Sequence, residues 1–153
     1  MGLFRRRAKG STPEPADRSA DVRPLDGGEQ QRVEALIRSL RSSGVDTDDP
    51  RSLGSAYDAG FMAWTVRPHP SREDAQPLIT RVGIGMGQHL VDNARLSWCM
   101  AGDRLAVTSS TDQPLIRPVD LVAERWQRGE LGWVADWLIE TKRELARDRG
   151  EPG

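Results

Sequence analysis

Residues 82–90 read VGIGMGQHL, and the three glycines at alternate positions constrain how the surrounding chain can pack. Apolar residues recur through and beside this stretch at helical spacing, which predicts a helix from about Asp74 to Asn93 with Pro77 in its first turn. Each glycine inside a helix costs up to about 1 kcal/mol relative to alanine. Three of them therefore indicate that another element approaches the helix backbone closely. The neighbour we expect is a β-strand that carries a large indole.

The same glycine run invites a second interpretation as a phosphate-binding loop. Such a loop requires a strand before it, a helix N-terminus after it, and a GxGxxG or GxxxxGK spacing. The sequence around residues 82–90 offers none of these features. We therefore expect the glycines to serve packing, and we expect no nucleotide or other cofactor.

The hydrophobic period changes after this helix. Residues 96–100 alternate between large apolar and small or polar side chains, with Trp98 at the centre. A Gly-Asp turn follows at 102–103, and short apolar segments return at 105–108 and 115–116. This alternation with intervening turns predicts a three-stranded antiparallel meander.

Helical patterns flank the meander on both sides. Before the glycine-containing helix, apolar spacing predicts one helix over about residues 26–44, starting with a capping box, and a second over about 50–67. Two more helices are predicted after the meander, starting at residues 118 and 130. The sequence thus predicts one small α+β domain over residues 28–147, with N-terminal helices, the glycine-containing helix, the meander and two C-terminal helices.

The composition argues against several classes of protein. The chain has 153 residues, which fits a single domain. Its 22 basic and 23 acidic residues give a net charge of −1, which argues against a nucleic-acid binder. No apolar run approaches the ~18–20 residues of a membrane span. A single cysteine cannot form an internal disulfide and suits a reducing compartment, so we expect a cytoplasmic protein.

The two ends of the chain lack apolar periodicity. Residues 1–27 are expected to form a disordered, basic and proline-rich tail, and residues 148–153 a frayed C-terminus. The first nine residues, MGLFRRRAK, carry four positive charges, but the apolar stretch of a signal peptide does not follow them. A solubilising role is the favoured interpretation of this tail. A weak contact with an anionic membrane surface is the alternative.

Several segments together are similar to a known family. The helix VGIGMGQHL, the hairpin LSWCMAGDRLAV, the strand PLIRP and the helix end AERWQRGE resemble the bacterial domain-of-unknown-function 3806 family. The likeness covers residues 78–130, about a third of the chain. It implies a small α+β domain in the bacterial cytosol, with no established activity and no functional residue to transfer. Relatives often carry an acidic residue after the helical glycine, where this chain has Gln88.

Few residues could support catalysis. His89 and Cys99 are the one pair that could act as base and nucleophile, so an enzyme built on them is an alternative function. However, Cys99 and Trp98 should point to opposite faces of their strand. If Trp98 covers the helix, Cys99 faces away from His89. Zinc needs about four ligands of the Cys or His type, and the chain has three such residues in all, so we expect no metal site.

The C-terminal helices carry the remaining candidate site. Trp126, Trp133 and Trp137 lie within twelve residues and are interleaved with Arg125 and Arg128. A partly exposed indole beside arginine is typical of an interface anchor. Alternatively, Trp133 packs under the preceding turn or against the first helix. The favoured function is a non-enzymatic interaction module that binds a protein partner, or a second copy of itself, through these five residues.

Overall fold

The computed structural model describes residues 22–68, 72–109 and 114–151. The elements form the predicted helix-rich α+β fold. In chain order they are β1 (Val22–Pro24), α1 (Gly27–Ser42), α2 (Pro50–Thr65), α3 (Arg72–Asn93), β2 (Ser97–Ala101), β3 (Arg104–Thr108), β4 (Leu115–Ile116), α4 (Pro118–Gln127) and α5 (Val134–Asp148).

Helix α3 lies at the centre of the fold and contacts the four other helices of the described chain as well as β2 and β3. The indole of Trp98 on β2 lies directly over Gly87, where a side-chain carbon would overlap the ring. This contact confirms the predicted indole-bearing strand. The indole nitrogen of Trp98 also donates a hydrogen bond to the Gln88 side-chain oxygen at 2.9 Å, while the Gln88 amide nitrogen donates to Asp92 at 2.8 Å. An amide at position 88 therefore fixes the indole by accepting and donating at once.

The other two glycines of α3 face helices and not the sheet. At Gly83, an added side-chain carbon would lie 2.6 Å from the Cα atom of Val119, so the backbone of α4 occupies that space. At Gly85, it would meet the ends of Leu40 from α1 and Leu53 from α2. The expectation of a single approaching strand was thus incomplete, because α3 is covered on several sides at once.

The sheet has four antiparallel strands in the order β1-β2-β3-β4, one more than predicted. The additional strand, Val22–Pro24, pairs with β2 so that Val22 lies opposite Ala101. It falls inside the segment predicted to be a disordered tail, so that boundary was wrong for residues 22–27. Three residues can join a sheet edge through backbone hydrogen bonds alone, and they leave no apolar period in the sequence. Residues 1–21 lie outside the described part of the chain.

The start of α1 is fixed by the predicted capping box. The Asp26 carboxylate accepts a hydrogen bond from the Glu29 N–H at 2.8 Å, and the Glu29 carboxylate accepts one from the Asp26 N–H at 2.9 Å. Arg23 on β1 donates two hydrogen bonds of 2.8 Å to the same Glu29 carboxylate. Hydrogen bonds from Arg23 and from the Asp26 backbone lower the pKa of Glu29 to about 2. The edge strand and the first helix are therefore joined through one carboxylate.

Three predicted helix boundaries differ from the structure. Helix α3 begins at Arg72, so Pro77 lies inside the helix and not in its first turn. The apolar spacing that set the prediction begins only at Leu78, six residues after the start of the helix. Helix α5 begins at Val134 and not at residue 130, because Gly129 and Gly132 both adopt positive φ and keep the chain in a loop. Its last residue is Asp148, within the C-terminus that was expected to fray.

Candidate functional site

The predicted tryptophans form part of a buried aromatic cluster. Trp126 on α4 contacts aromatic rings on α2, with ring centroids 5.6 Å from Tyr57, 4.9 Å from Phe61 and 5.4 Å from Trp64. Trp133 packs edge-on against Tyr57 at 5.4 Å. These separations and mostly perpendicular planes are the favoured geometry of aromatic pairs. The indoles thus join α4 and the α4–α5 loop to α2.

Trp133 does not have the exposure that an interface anchor needs. Its relative exposure is 8%, and the guanidinium of Arg125 lies 4.9 Å above its ring. The alternative of core packing is therefore the one observed, although the neighbour is α2 and not the first helix. Trp137 is partly buried and packs against the same core. The rings that receive these indoles, Tyr57 and Phe61, lie four residues apart on α2, and nothing in their helical spacing distinguishes them from other core positions.

The two predicted arginines pair with acidic neighbours. Arg125 forms a 2.7 Å ion pair with Glu130, and Arg128 approaches Glu130 at 3.6 Å and Glu124 at 3.5 Å. The backbone oxygen of Glu130 accepts a hydrogen bond from the Tyr57 hydroxyl at 2.8 Å, and burial raises the pKa of that hydroxyl. Four of the five predicted site residues, Arg125, Trp126, Arg128 and Trp133, therefore belong to one charged and aromatic contact region between α2 and α4, which we call the α2–α4 joint.

Next to this joint lies a group of exposed apolar side chains that the sequence did not single out. Met62 is 53% exposed, Val66 78% and Leu131 46%. Met62 and Val66 are one helical turn apart at the end of α2. Leu131 lies on the loop that is tied to the same helix, because the N–H of the next residue, Gly132, donates a hydrogen bond of 3.0 Å to Asp58, one turn before Met62. We call Met62, Val66 and Leu131 the apolar strip.

The structure separates the two residues of the hypothetical catalytic pair. His89 is fully buried on α3, and its Nδ1 lies 2.8 Å from the backbone oxygen of Thr47. Because a carbonyl oxygen only accepts, Nδ1 carries the proton, and burial lowers the pKa of His89. Cys99 is buried with Ala101 and Ala106 on the sheet face opposite Trp98. The histidine thus holds the loop before α2 and faces no thiol.

No group of three or more His, Cys, Asp or Glu residues that could hold a metal ion occurs among residues 22–68, 72–109 and 114–151. Within the same ranges, no helix combines the length and the apolar character required to cross a bilayer.

Comparison with known proteins identifies no relative of this chain. The chain matches no protein-family model, no curated protein and no solved structure. The resemblance to the domain-of-unknown-function 3806 family stays a prediction.

Proposed function

We propose that this protein is a non-enzymatic protein-interaction module of the bacterial cytoplasm and that it docks its partner on the apolar strip. One observation carries the proposal: of the four large apolar side chains exposed in the described chain, two lie at the end of α2 and a third lies on the loop that a hydrogen bond ties to α2 one turn before Met62. Grouped exposed apolar side chains are typical of interaction surfaces, whereas single ones are common everywhere. A relationship to the domain-of-unknown-function 3806 family is part of the same proposal.

The surroundings of the strip support a docking role. Arg128 is exposed and ion-paired with Glu130, the residue before Leu131, so charges border the apolar side chains. A polar rim around an apolar centre is the usual composition of a protein interface. Trp126 and Trp133 are buried and pack against Tyr57 on α2, the helix that carries Met62. In this proposal the predicted arginines contribute to the charged rim, and the predicted tryptophans are not exposed anchors.

A charge placed on the strip should abolish binding. We expect Leu131→Glu, tested in the full chain, to lose partner proteins that the wild-type chain retains in a quantitative pull-down. Loss of a concentration-dependent dimer in sedimentation equilibrium would equally support the proposal, with a second copy as the partner. The physical reason is that docking would bury an unpaired carboxylate, which is strongly unfavourable.

Ile139 provides a matched control. It is the fourth exposed large apolar residue, at 38%, and it lies on α5. Gly132 bonds Asp58 and Ala135 faces Gly54, so α5 runs towards the start of α2. Ile139 lies one turn further along α5 and therefore away from Met62 and Val66 at the end of α2. Ile139→Glu should leave binding unchanged. The proposal fails if both variants retain the same partners, or if the wild-type chain neither retains a partner nor self-associates.

A further inference from the structure

The loop between α1 and α2, residues 43–49, is anchored mainly by one residue. Thr47 is only 1% exposed, whereas the other loop residues are half-buried or exposed. The Thr47 hydroxyl accepts hydrogen bonds of 3.1 and 2.8 Å from the guanidinium of Arg41 on α1. Its backbone oxygen accepts a hydrogen bond of 2.8 Å from Nδ1 of His89 on α3. The loop is therefore held against two helices through Thr47.

His89 is fully enclosed, but only one of its ring nitrogens is paired. Its relative exposure is 0%, and Nε2 is buried without a hydrogen-bond partner in the described part of the chain. Because Nδ1 carries the proton that bonds Thr47, Nε2 of the neutral ring is an acceptor without a donor. A second proton at Nε2 would create a buried cation whose new N–H has no acceptor, which is strongly unfavourable.

Charged groups from three elements act on the ring. Burial has the largest effect and lowers the pKa of His89, whereas the hydrogen bond to Thr47 raises it. Lys142 on α5 also opposes a positive ring, and Asp48 in the loop and Asp92 on α3 favour it. Arg41 on α1 approaches Asp92 at 3.7 Å, so that carboxylate is shared. The charged ring is therefore stabilised only if water can reach it.

Among the elements that surround His89, the loop is the easiest to displace. Helices α3 and α5 each bury several apolar side chains in the main core, including Leu90 and Leu138. The loop fully buries only Thr47. Segments with few buried contacts open locally at a lower cost in free energy than unfolding of the whole domain.

We propose that His89 makes the α1–α2 loop a pH-sensitive switch: when the ring takes up a proton from solvent, Thr47 leaves its place and the loop opens, while the helices stay folded. The proton binds at Nε2, and water then solvates both N–H groups of the ring. Opening also removes the Thr47 methyl group from beside Gly85, where it lies with the ends of Leu40 and Leu53. The open state therefore exposes apolar surface that the closed loop covers.

This switch is independent of the proposed docking function. It acts at the start of α2, whereas Met62 and Val66 lie at the end of that helix. Leu131→Glu should therefore leave the switch unchanged, even where it abolishes docking.

The test follows the full wild-type chain by proton–nitrogen NMR between about pH 5 and pH 8. The amide signals of residues 44–49 should change with the same midpoint as the ring signals of His89. Over the same range, the amide signals of α4 and α5 and the far-UV circular dichroism should stay constant. This measurement decides the proposal without any variant.

Three variants identify the cause of the transition. His89→Asn takes up no proton in this range, so the loop signals should stay constant. Thr47→Val keeps the backbone oxygen but loses the hydrogen bonds from Arg41, so the loop should open at a pH higher by about 0.5–1 unit. Arg143→Gln is the matched control, because it removes an exposed arginine next to Lys142 that is paired with Glu140, and it should leave the midpoint unchanged.

Four results would overturn the proposal. The His89 ring titrates while the loop signals stay constant, or the ring remains neutral down to about pH 5. The whole chain unfolds at the midpoint of the loop transition. Folded His89→Asn shows the same loop transition as the wild type.

Discussion

Because α3 and α4 are in close contact at Gly83, adding one methyl group at this position should strongly lower the free energy of unfolding. An alanine side chain there would lie 2.6 Å from the Cα atom of Val119 and 2.9 Å from its backbone nitrogen. Both atoms belong to the first turn of α4, so no rotamer change relieves the overlap. The helix itself must move away by most of an ångström, and it carries Trp126 and the aromatic cluster with it.

The expected loss follows from two opposing effects. Alanine gains about 1 kcal/mol over glycine in a helix interior. Overpacking a tight core costs about 1–3 kcal/mol, and a backbone neighbour places this site at the upper end of that range or above it. We therefore expect Gly83→Ala to lower the free energy of unfolding by about 2 kcal/mol or more.

Gly54 on α2 is the matched control. An alanine side chain there would meet its nearest neighbours, all around Ala135 and Val134, at 3.6–3.8 Å, which is ordinary contact. Gly54→Ala should therefore raise the free energy of unfolding by about 0.5–1 kcal/mol. Urea denaturation followed by far-UV circular dichroism measures both variants, with unchanged m-values confirming comparable transitions. If Gly83→Ala is as stable as the wild type, α3 and α4 do not pack as closely as described.

Two further predictions concern a buried histidine and a helix start. Burial lowers the pKa of His89 in the folded chain, so as pH falls below about 6.5 the unfolded state takes up the proton first and stability declines. His89→Asn, which keeps a donor towards Thr47, should flatten this decline in urea midpoints measured between about pH 5 and pH 8; an unchanged slope would contradict a buried neutral histidine. Asp26→Ala should cost about 1 kcal/mol by removing the cap of α1, whereas Asp26→Asn should retain most of that stability; equal losses in thermal melts would contradict the capping role.

Local signals in the sequence were sufficient for most elements of the fold. The capping box at Asp26 and the Asp49-Pro50 pair lie at the starts of α1 and α2, because both motifs act on hydrogen-bond groups within a few residues. The alternation around Trp98 predicted the meander for the same reason. The sequence did not predict the edge strand β1, because its backbone pairs with β2, about 75 residues away, and no periodicity marks such a partner.

The candidate site depended on contacts between distant segments. Sequence spacing placed Trp133 beside arginines but could not choose between exposure and burial, since that choice is made by Tyr57, 76 residues earlier. The apolar strip likewise exists only because Gly132 bonds Asp58 and brings Leu131 to α2.

The amino-acid sequence by itself determined the helices, the meander and the need for a close approach at the glycines. These follow from the backbone conformations that each short segment prefers. Only the tertiary structure decided which neighbours occupy the space beside Gly83, Gly85 and Gly87, and which indoles are buried. The same holds for Leu40 and Leu53, which meet beside Gly85 because helices far apart in the chain pack side by side, and burial depends on that packing.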